Sequence, residues 1–361
     1  MPWAIPVPLA ANESISSWLA RAALLQGCDP LVLTGSICPS WRAWTMDIDR
    51  GLSADRLRAV ADASGVPLIH LAQAALRTDA ERIAGRPLSI TGTWPWILTL
   101  GSRNRRRHSG QPFCSVCLTN DTHPYFRRHW RFAWHVACAK HGIELQDHCN
   151  VCSAPVMPNQ LQTEDRHLAQ CHRCHTDLRM TDTALATKDA LAFQQLADSV
   201  LTAGTGSVAG YHVSAVEWFT TARFFLTLIR RTGHREASKL GNALRSVGVT
   251  AFESRFPATG LPLEHLAVDE RARLCASVYP LVNSSIDTLA AALTDHGVTA
   301  AALHDDRSPL PTPITNIMAI MPSGRRGQKT PSTISSTSAR SEQAVKTAWA
   351  RLQRKIRATT S

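Results

Sequence analysis

The chain has 361 residues, enough for two or three compact units, and its apolar fraction is ordinary for a water-exposed globular protein. No stretch offers about 18 uninterrupted apolar residues, and Met1 to Asn12 carries no basic, apolar leader pattern, so neither a membrane span nor a secretory signal is expected. The formal charge of +11 comes from two short regions. Residues 101–140 hold eight Arg/Lys against Asp121 alone, and residues 323–361 hold nine against Glu342 alone. The remainder is slightly acidic. Clustered positive charge is the footprint of a nucleic-acid binder; a solvated basic surface or an acidic protein partner is the competing reading.

Residues 2–11 are Pro-rich and extended. Asn12 is placed to cap a helix from Glu13, with Ile15, Trp18, Leu19, Ala22 and Leu25 on its apolar stripe and Gly27 at its end. Residues 53–77 predict two short helices around Gly65-Val66, the packing pattern of a helix-turn-helix. Gly248-Val249 and Gly297-Val298 repeat that turn signal.

Arg103, Arg105, Arg106 and Arg107 precede four ligand pairs of one shared spacing. These are Cys114-x-x-Cys117, Cys138-x-x-His141, Cys149-x-x-Cys152 and Cys171-x-x-Cys174. Seven of the ten cysteines fall in this pattern, which argues against chance. Two ligands two residues apart grip one ion on one tight turn, and two such turns complete the tetrahedral set that zinc prefers. Gaps of 20 and 18 residues leave room for a short hairpin inside each unit. Two structural zinc ions are expected, one held by three cysteines and a histidine and one by four cysteines. A cross-braced pairing satisfies the same spacing. His135 is an alternative to His141, although its spacing to Cys138 runs the other way. Such sites suit a reducing cytoplasm better than disulfides do. Cys28, Cys38 and Cys275 read as small buried hydrophobes.

Between the first two pairs, Tyr125-Phe126-Arg127-Arg128-His129-Trp130-Arg131 interleaves cations with aromatics. Arg105, Arg106, Arg107, Arg127, Arg128 and Arg131 are the candidate phosphate-contacting residues. The aromatics equally suit the small core of a zinc module, with the arginines offsetting thiolate charge. Residues 187–201, 214–231 and 268–293 have helical period and predict an all-α unit, interrupted at Pro309, Pro311 and Pro313. Residues 323–338 read as a flexible linker, and 340–358 as a last basic helix with Val345, Trp349, Leu352 and Ile356 on one side.

The expected fold is mainly α: helical N- and C-terminal parts with helix-turn-helix-like hairpins, flanking a tandem zinc-ribbon-like module with short β hairpins. The expected divisions are 1–110, 111–180, 181–322 and a basic tail at 323–361.

The chain also resembles the TniQ family of transposition proteins, related to the target-selecting TnsD proteins. The resemblance rests on Pro6-x-Pro8, Glu13-Ser14-Ile15-Ser16-Ser17-Trp18-Leu19-x-Arg21, Phe113-Cys114-x-x-Cys117-Leu118, Tyr125-Phe126-Arg127, Trp130-Arg131, Cys138-x-x-His141-Gly142 with Leu145, and Cys149-x-x-Cys152. Specific motifs cover residues 1–175; the rest shares only a helical character. The resemblance implies a non-enzymatic accessory protein that helps to choose the insertion site. It implies work beside an AAA+ ATPase and, through it, a DDE-type transposase. It also implies direct DNA reading or docking on an RNA-guided CRISPR complex, with a homodimer in some members. A freestanding zinc-containing helix-turn-helix transcription regulator is the alternative. A zinc hydrolase is disfavoured by the closed ligand sets, and a nucleotidase by the lack of a phosphate-binding Gly-rich loop.

Overall fold

Helix α1 (Ile15–Leu25) begins where Ser14, in extended conformation, accepts the Ser17 N–H on its hydroxyl. The sequence pointed to Asn12 as the cap. Asn12 instead turns the chain with a φ of 58°, and Glu13 folds inward as the partner of Arg21. The computed structural model describes residues 2–100, 109–232, 238–249, 261–304, 309–321 and Trp349. Residues Met1–Pro322 form one compact unit and Ser323–Ser361 another. In the second unit only Trp349 is described, helical and exposed, so the linker and the basic apolar-edged helix expected there lie outside the described residues.

The protein is mainly helical, with a few short strands. After α1 come α2 (Pro30–Ile37), α3 (Ala54–Ser64), α4 (Leu68–Ala74) and α5 (Arg77–Ala84). Trp18, Leu19, Trp41, Val60 and Leu71 bury together as an N-terminal core. The α3–α4 hairpin exists, but α4 buries only Leu71 and Ala74 and leaves Leu68 and Ile69 exposed.

The three Gly-Val pairs share one physical role. Gly65, Gly248 and Gly297 have φ of 74°, 94° and 65°, and the valine after each is buried. Val249 N–H returns to the Leu244 carbonyl and Val298 N–H to the Leu293 carbonyl. Gly248-Val249 and Gly297-Val298 are thus helix stops of the Schellman type, while at the first pair Gly65 N–H returns to the Ala61 carbonyl and the Ser64 hydroxyl accepts the Val66 N–H. Residues 250–260, next in the chain after Gly248-Val249, lie outside the described residues. After Gly297-Val298 comes α12 (Ala300–Leu303), four residues long, too short to enter a DNA groove as a recognition helix.

The middle of the chain carries α6 (Ser115–Asn120) and a two-residue antiparallel pair, β1 (Ala137–Cys138) with β2 (Ile143–Glu144). Beyond it, α7 (Lys188–Ala203) and α8 (Ala215–Thr232) follow the expected helical period. Between them stands an unexpected hairpin, β3 (Thr205–Val208) with β4 (Tyr211–Ser214). Its turn residues Ala209 and Gly210 both have positive φ, 52° and 81°, as a tight hairpin turn requires. Helix α9 (Lys239–Ser246) leads to α10 (Val268–Asn283) and α11 (Ile286–Asp295). Residues 268–293, expected as one helical run, break at Ser284-Ser285, where the Ser285 hydroxyl caps α11 on the Thr288 N–H. The prolines expected only to interrupt helix instead start one: Pro311 and Pro313 open α13 (Thr312–Ile320).

One hydrophobic core joins these parts. Trp96 packs 5.6 Å from Phe219 and Trp134 5.1 Å from Phe219, ring centre to ring centre, with Phe193 and Trp218 beside them. Among the described residues, no helix is long and apolar enough to cross a membrane.

Candidate metal centres

The first ligand pair sits at a helix start. Cys114 is the N-cap of α6, and its Sγ accepts the Cys117 N–H at 3.4 Å. The second pair sits on the β1–β2 turn. His141 N–H and Gly142 N–H both return to the Cys138 carbonyl, at 3.2 and 2.8 Å, and Gly142 takes a φ of 67° to close the turn. The two pairs converge. His141 Nδ1 lies 3.3 Å from Cys114 Sγ and 3.4 Å from both Cys117 Sγ and Cys138 Sγ, and Cys117 and Cys138 Sγ are 3.6 Å apart.

The second centre repeats the device. Ser153 N–H returns to the Cys149 carbonyl and His175 N–H to the Cys171 carbonyl, at 2.9 and 2.8 Å, with Ser153 and His175 at φ of 55° and 57°. Cys149 Sγ lies 3.5 Å from Cys174 Sγ, and Cys152 Sγ 3.6 Å from Cys171 Sγ.

Within each set every ligand atom is within 4.8 Å of the others. Four sulfurs about 2.3 Å from one tetrahedral ion stand about 3.8 Å apart, so each set has the dimensions of a single-ion site. The pairing is sequential, first with second and third with fourth, and the cross-braced alternative is excluded. All ten cysteines are free thiols. Without a cation the first set must share protons. The hydrogen bonds and charge of Cys114 and Cys138 push the Cys117 thiol up, while Cys114 as hydrogen-bond donor pulls Cys138 down. A divalent cation replaces those protons and lets all three sulfurs ionise. Neither set leaves a protein position open, which is the pattern of a structural rather than a reacting metal.

His135 plays no part in the first set. Its Nε2 is 2.8 Å from Asp198 Oδ1, which also accepts the Trp134 indole N–H at 2.8 Å. Cys275 is fully buried, whereas Cys28 and Cys38 are only partly buried against the N-terminal core.

The candidate phosphate-contacting arginines divide. Arg105, Arg106 and Arg107 lie outside the described residues. Arg127, Arg128 and Arg131 turn into the protein. Arg127 makes a double ion pair with Asp121 at 2.6 and 2.7 Å and lies 4.1 Å over the Tyr125 ring. Arg128 pairs with Asp79 and donates to the Ala75 carbonyl. Arg131 has no exposed surface; it pairs with Asp47 at 2.6 Å and with Asp49, and donates to the Leu98 carbonyl. The expectation of a phosphate-contacting surface therefore fails for Arg131. Reaching a phosphate would strip a buried cation from two buried carboxylates. Arg127 and Arg128 are likewise committed within the chain. Sequence reasoning passed over Asp47, Asp49 and Asp79, and the short Asp47-x-Asp49 repeat was the only visible signal of them.

Around this network the separate sequence motifs meet. Arg21 pairs with Glu13 at 2.6 Å and donates to the Pro8 carbonyl at 2.7 Å. The Trp18 indole donates to the Val7 carbonyl. Ser17 Oγ donates to Glu13 and accepts the Phe126 N–H at 2.8 Å. Ser14 N–H donates to the Phe126 carbonyl, and Arg128 N–H to the Asn12 carbonyl. The Pro-x-Pro start, the α1 motif and Tyr125-Phe126-Arg127 thus form one joint between the N-terminal helices and the first metal centre.

The model of the TniQ family matches residues 4–145, a span that contains this joint and the whole first ligand set. No curated protein matches the chain. Over residues 4–145, less than half of its length, the chain is therefore similar to the TniQ family.

Proposed function

We propose that the protein is a non-catalytic transposition accessory factor for target-site selection. In this reading it is an adaptor between target DNA, or a DNA-targeting complex, and the AAA+ ATPase of the element, and it reaches the transposase through that ATPase. The observation that carries the proposal is the TniQ match over residues 4–145, whose motif residues build the joint described above. Both metal sites are assigned to zinc, because three-cysteine-one-histidine and four-cysteine sets of closed tetrahedral size suit that ion. Their role is structural. The working division of the chain is 1–110, 111–180, 181–322 and a basic tail at 323–361. With Arg127, Arg128 and Arg131 committed inside the protein, Arg105, Arg106 and Arg107 are the remaining candidates for phosphate contact.

The test is a pull-down of zinc-loaded protein with the ATPase and with DNA, separately and together. The proposal expects ATPase capture, increased or made DNA-dependent when both are present. Neutralising Arg105, Arg106 and Arg107 should weaken DNA capture on every sequence and flatten its salt dependence. Specific DNA binding with no ATPase capture under any condition would instead assign a freestanding regulator.

A further inference from the structure

The two ligand sets differ in which of their members meets solvent. In the first set Cys114, Cys117 and Cys138 are buried, none more than 7% exposed, and the one partly exposed ligand is His141. In the second set Cys149 and Cys171 are buried, and the two partly exposed ligands, Cys152 and Cys174, are both thiols. Each of these touches a buried thiol of the other turn. Cys174 Sγ lies 3.5 Å from Cys149 Sγ, and Cys152 Sγ 3.6 Å from Cys171 Sγ. We propose that the second set is an oxidation site for hydrogen peroxide, converted with loss of its ion into the disulfides Cys149–Cys174 and Cys152–Cys171, while the first set keeps its ion. The inference rests on the zinc assignment and is independent of the adaptor reading.

Three observations carry this. The first is the pairing of an accessible thiol with a buried one. Oxidation follows thiolate character and exposure, and a second thiol close by captures the product as a disulfide. Metal ligation makes all four sulfurs thiolates. The accessible Sγ of Cys152 or Cys174 attacks one peroxide oxygen, the O–O bond breaks, and the sulfur becomes a sulfenic acid while hydroxide leaves and takes a proton from solvent. The buried thiolate beside it then displaces the sulfenic hydroxyl, which also leaves as water after taking a proton. Four thiolates, two hydrogen peroxide molecules and four protons thus give two disulfides and four waters. The second observation is composition. The four thiols of the second set close completely in pairs, and both disulfides tie the two turns that the ion ties. The first set has three thiols, and its contact of Cys117 with Cys138, at 3.6 Å, is between two buried sulfurs. Its partly exposed member is an imidazole, which offers peroxide no thiolate. The third observation is charge. Four thiolates around one dication leave two negative charges, whereas three thiolates and a neutral imidazole leave one, so the sulfurs of the second set stay the more nucleophilic.

The experiment uses the full zinc-loaded chain, and its metal content is measured first. Fewer than two ions per chain before any peroxide is added would overturn the zinc assignment and this inference with it. Hydrogen peroxide is then added, released zinc is read with a colorimetric chelator, free thiols are alkylated in denaturant, and disulfides are located by peptide mass spectrometry. One ion per chain is expected to leave about tenfold faster than the other. At that stage the disulfides Cys149–Cys174 and Cys152–Cys171 should be present, with Cys114, Cys117 and Cys138 still alkylated. Dithiothreitol and zinc should restore the lost ion and its four thiols. Two exchanges at equivalent positions, each the last of its ligand pair, complete the test. Cys174→His gives the second set the composition of the first and should slow its oxidation about two- to tenfold. His141→Cys gives the first set a fourth, partly exposed thiol and should make its ion leave faster. Variants are compared only where they bind two ions before peroxide; where neither does, the order of release and the disulfide map of the parent decide the matter. The proposal is overturned by oxidation of the first set as fast as the second or faster, by zinc release without disulfides, by disulfides inside the pairs Cys149–Cys152 and Cys171–Cys174 in place of the bridging ones, or by unchanged release in variants that bind two ions.

Discussion

Arg131 shows how the meaning of a residue depends on what folds around it. In the sequence it is one of a run of cations; in the structure it is a fully buried cation shared by Asp47 and Asp49. Burial pushes the Asp49 carboxyl up and the Arg131 charge, with the Ser16 hydrogen bonds, pulls it back. Removing the cation leaves two buried carboxylates unpaired, so Arg131→Ala should cost about 3–5 kcal/mol in equilibrium unfolding. Arg128→Ala breaks a pair whose side chains keep 18% and 19% exposure and should cost only about 1 kcal/mol. Equal losses would contradict the burial-based distinction. His129 supplies a pH test. Burial, reinforced by His135 beside it, pulls His129 down to about 3. The unfolded chain takes that proton near pH 6.5 and the folded chain does not until about pH 3, so protons favour unfolding and stability falls as pH drops through this window. His129→Gln should flatten the loss between about pH 7.5 and 5.5, read from melting temperatures at the two values. An unchanged slope would rule this contribution out.

At the scale of elements, the strap 109–111 ties the metal segments together. Gln111 N–H donates to the Val156 carbonyl, and Val156 N–H to the Asp147 carbonyl. A Cβ at Gly110 would stand 2.0 Å from the Asp147 oxygen and 2.3 Å from the Val156 nitrogen, both backbone atoms that cannot move aside alone. Gly110→Ala should therefore destabilise by about 1–3 kcal/mol, and a neutral effect on chemical unfolding would show the approach to be looser. The sequence made some of these elements plain and hid others. Each ligand pair is local, so its spacing was readable, and α7, α8 and α10 announce themselves by helical period. The fate of the arginines was hidden because their acids lie far off in the chain: Asp47 is 84 residues from Arg131, and Asp79 is 49 from Arg128. The β3–β4 hairpin was hidden because Ala209-Gly210 lacks the usual Asn-Gly or Asp-Gly turn signal. The cap of α1 was misplaced because Asn12 and Ser14 are both good caps, and only the pairing of Ser14 and Glu13 with Phe126 and Arg127 chooses between them.

At the scale of the molecule, both candidate metal-binding sets sit within one hydrophobic core that also holds the C-terminal helices. Binding free energies of roughly 10–16 kcal/mol per structural zinc rival the whole stability of a domain. Chelation should therefore unfold the compact unit as well as its metal segments. Cys138→Ser and Cys171→Ser should each remove about one of two zinc ions, read by metal analysis of folded protein. Fewer than two tightly held ions in the parent would sink the assignment. The role we propose for the protein is to direct where a transposable element inserts. Mapping insertion sites in cells that carry the transposase and ATPase, with and without this protein, tests it most directly. The account predicts insertions concentrated at a preferred site only when the zinc-loaded protein is present. The same distribution and frequency of insertions in its absence would contradict it.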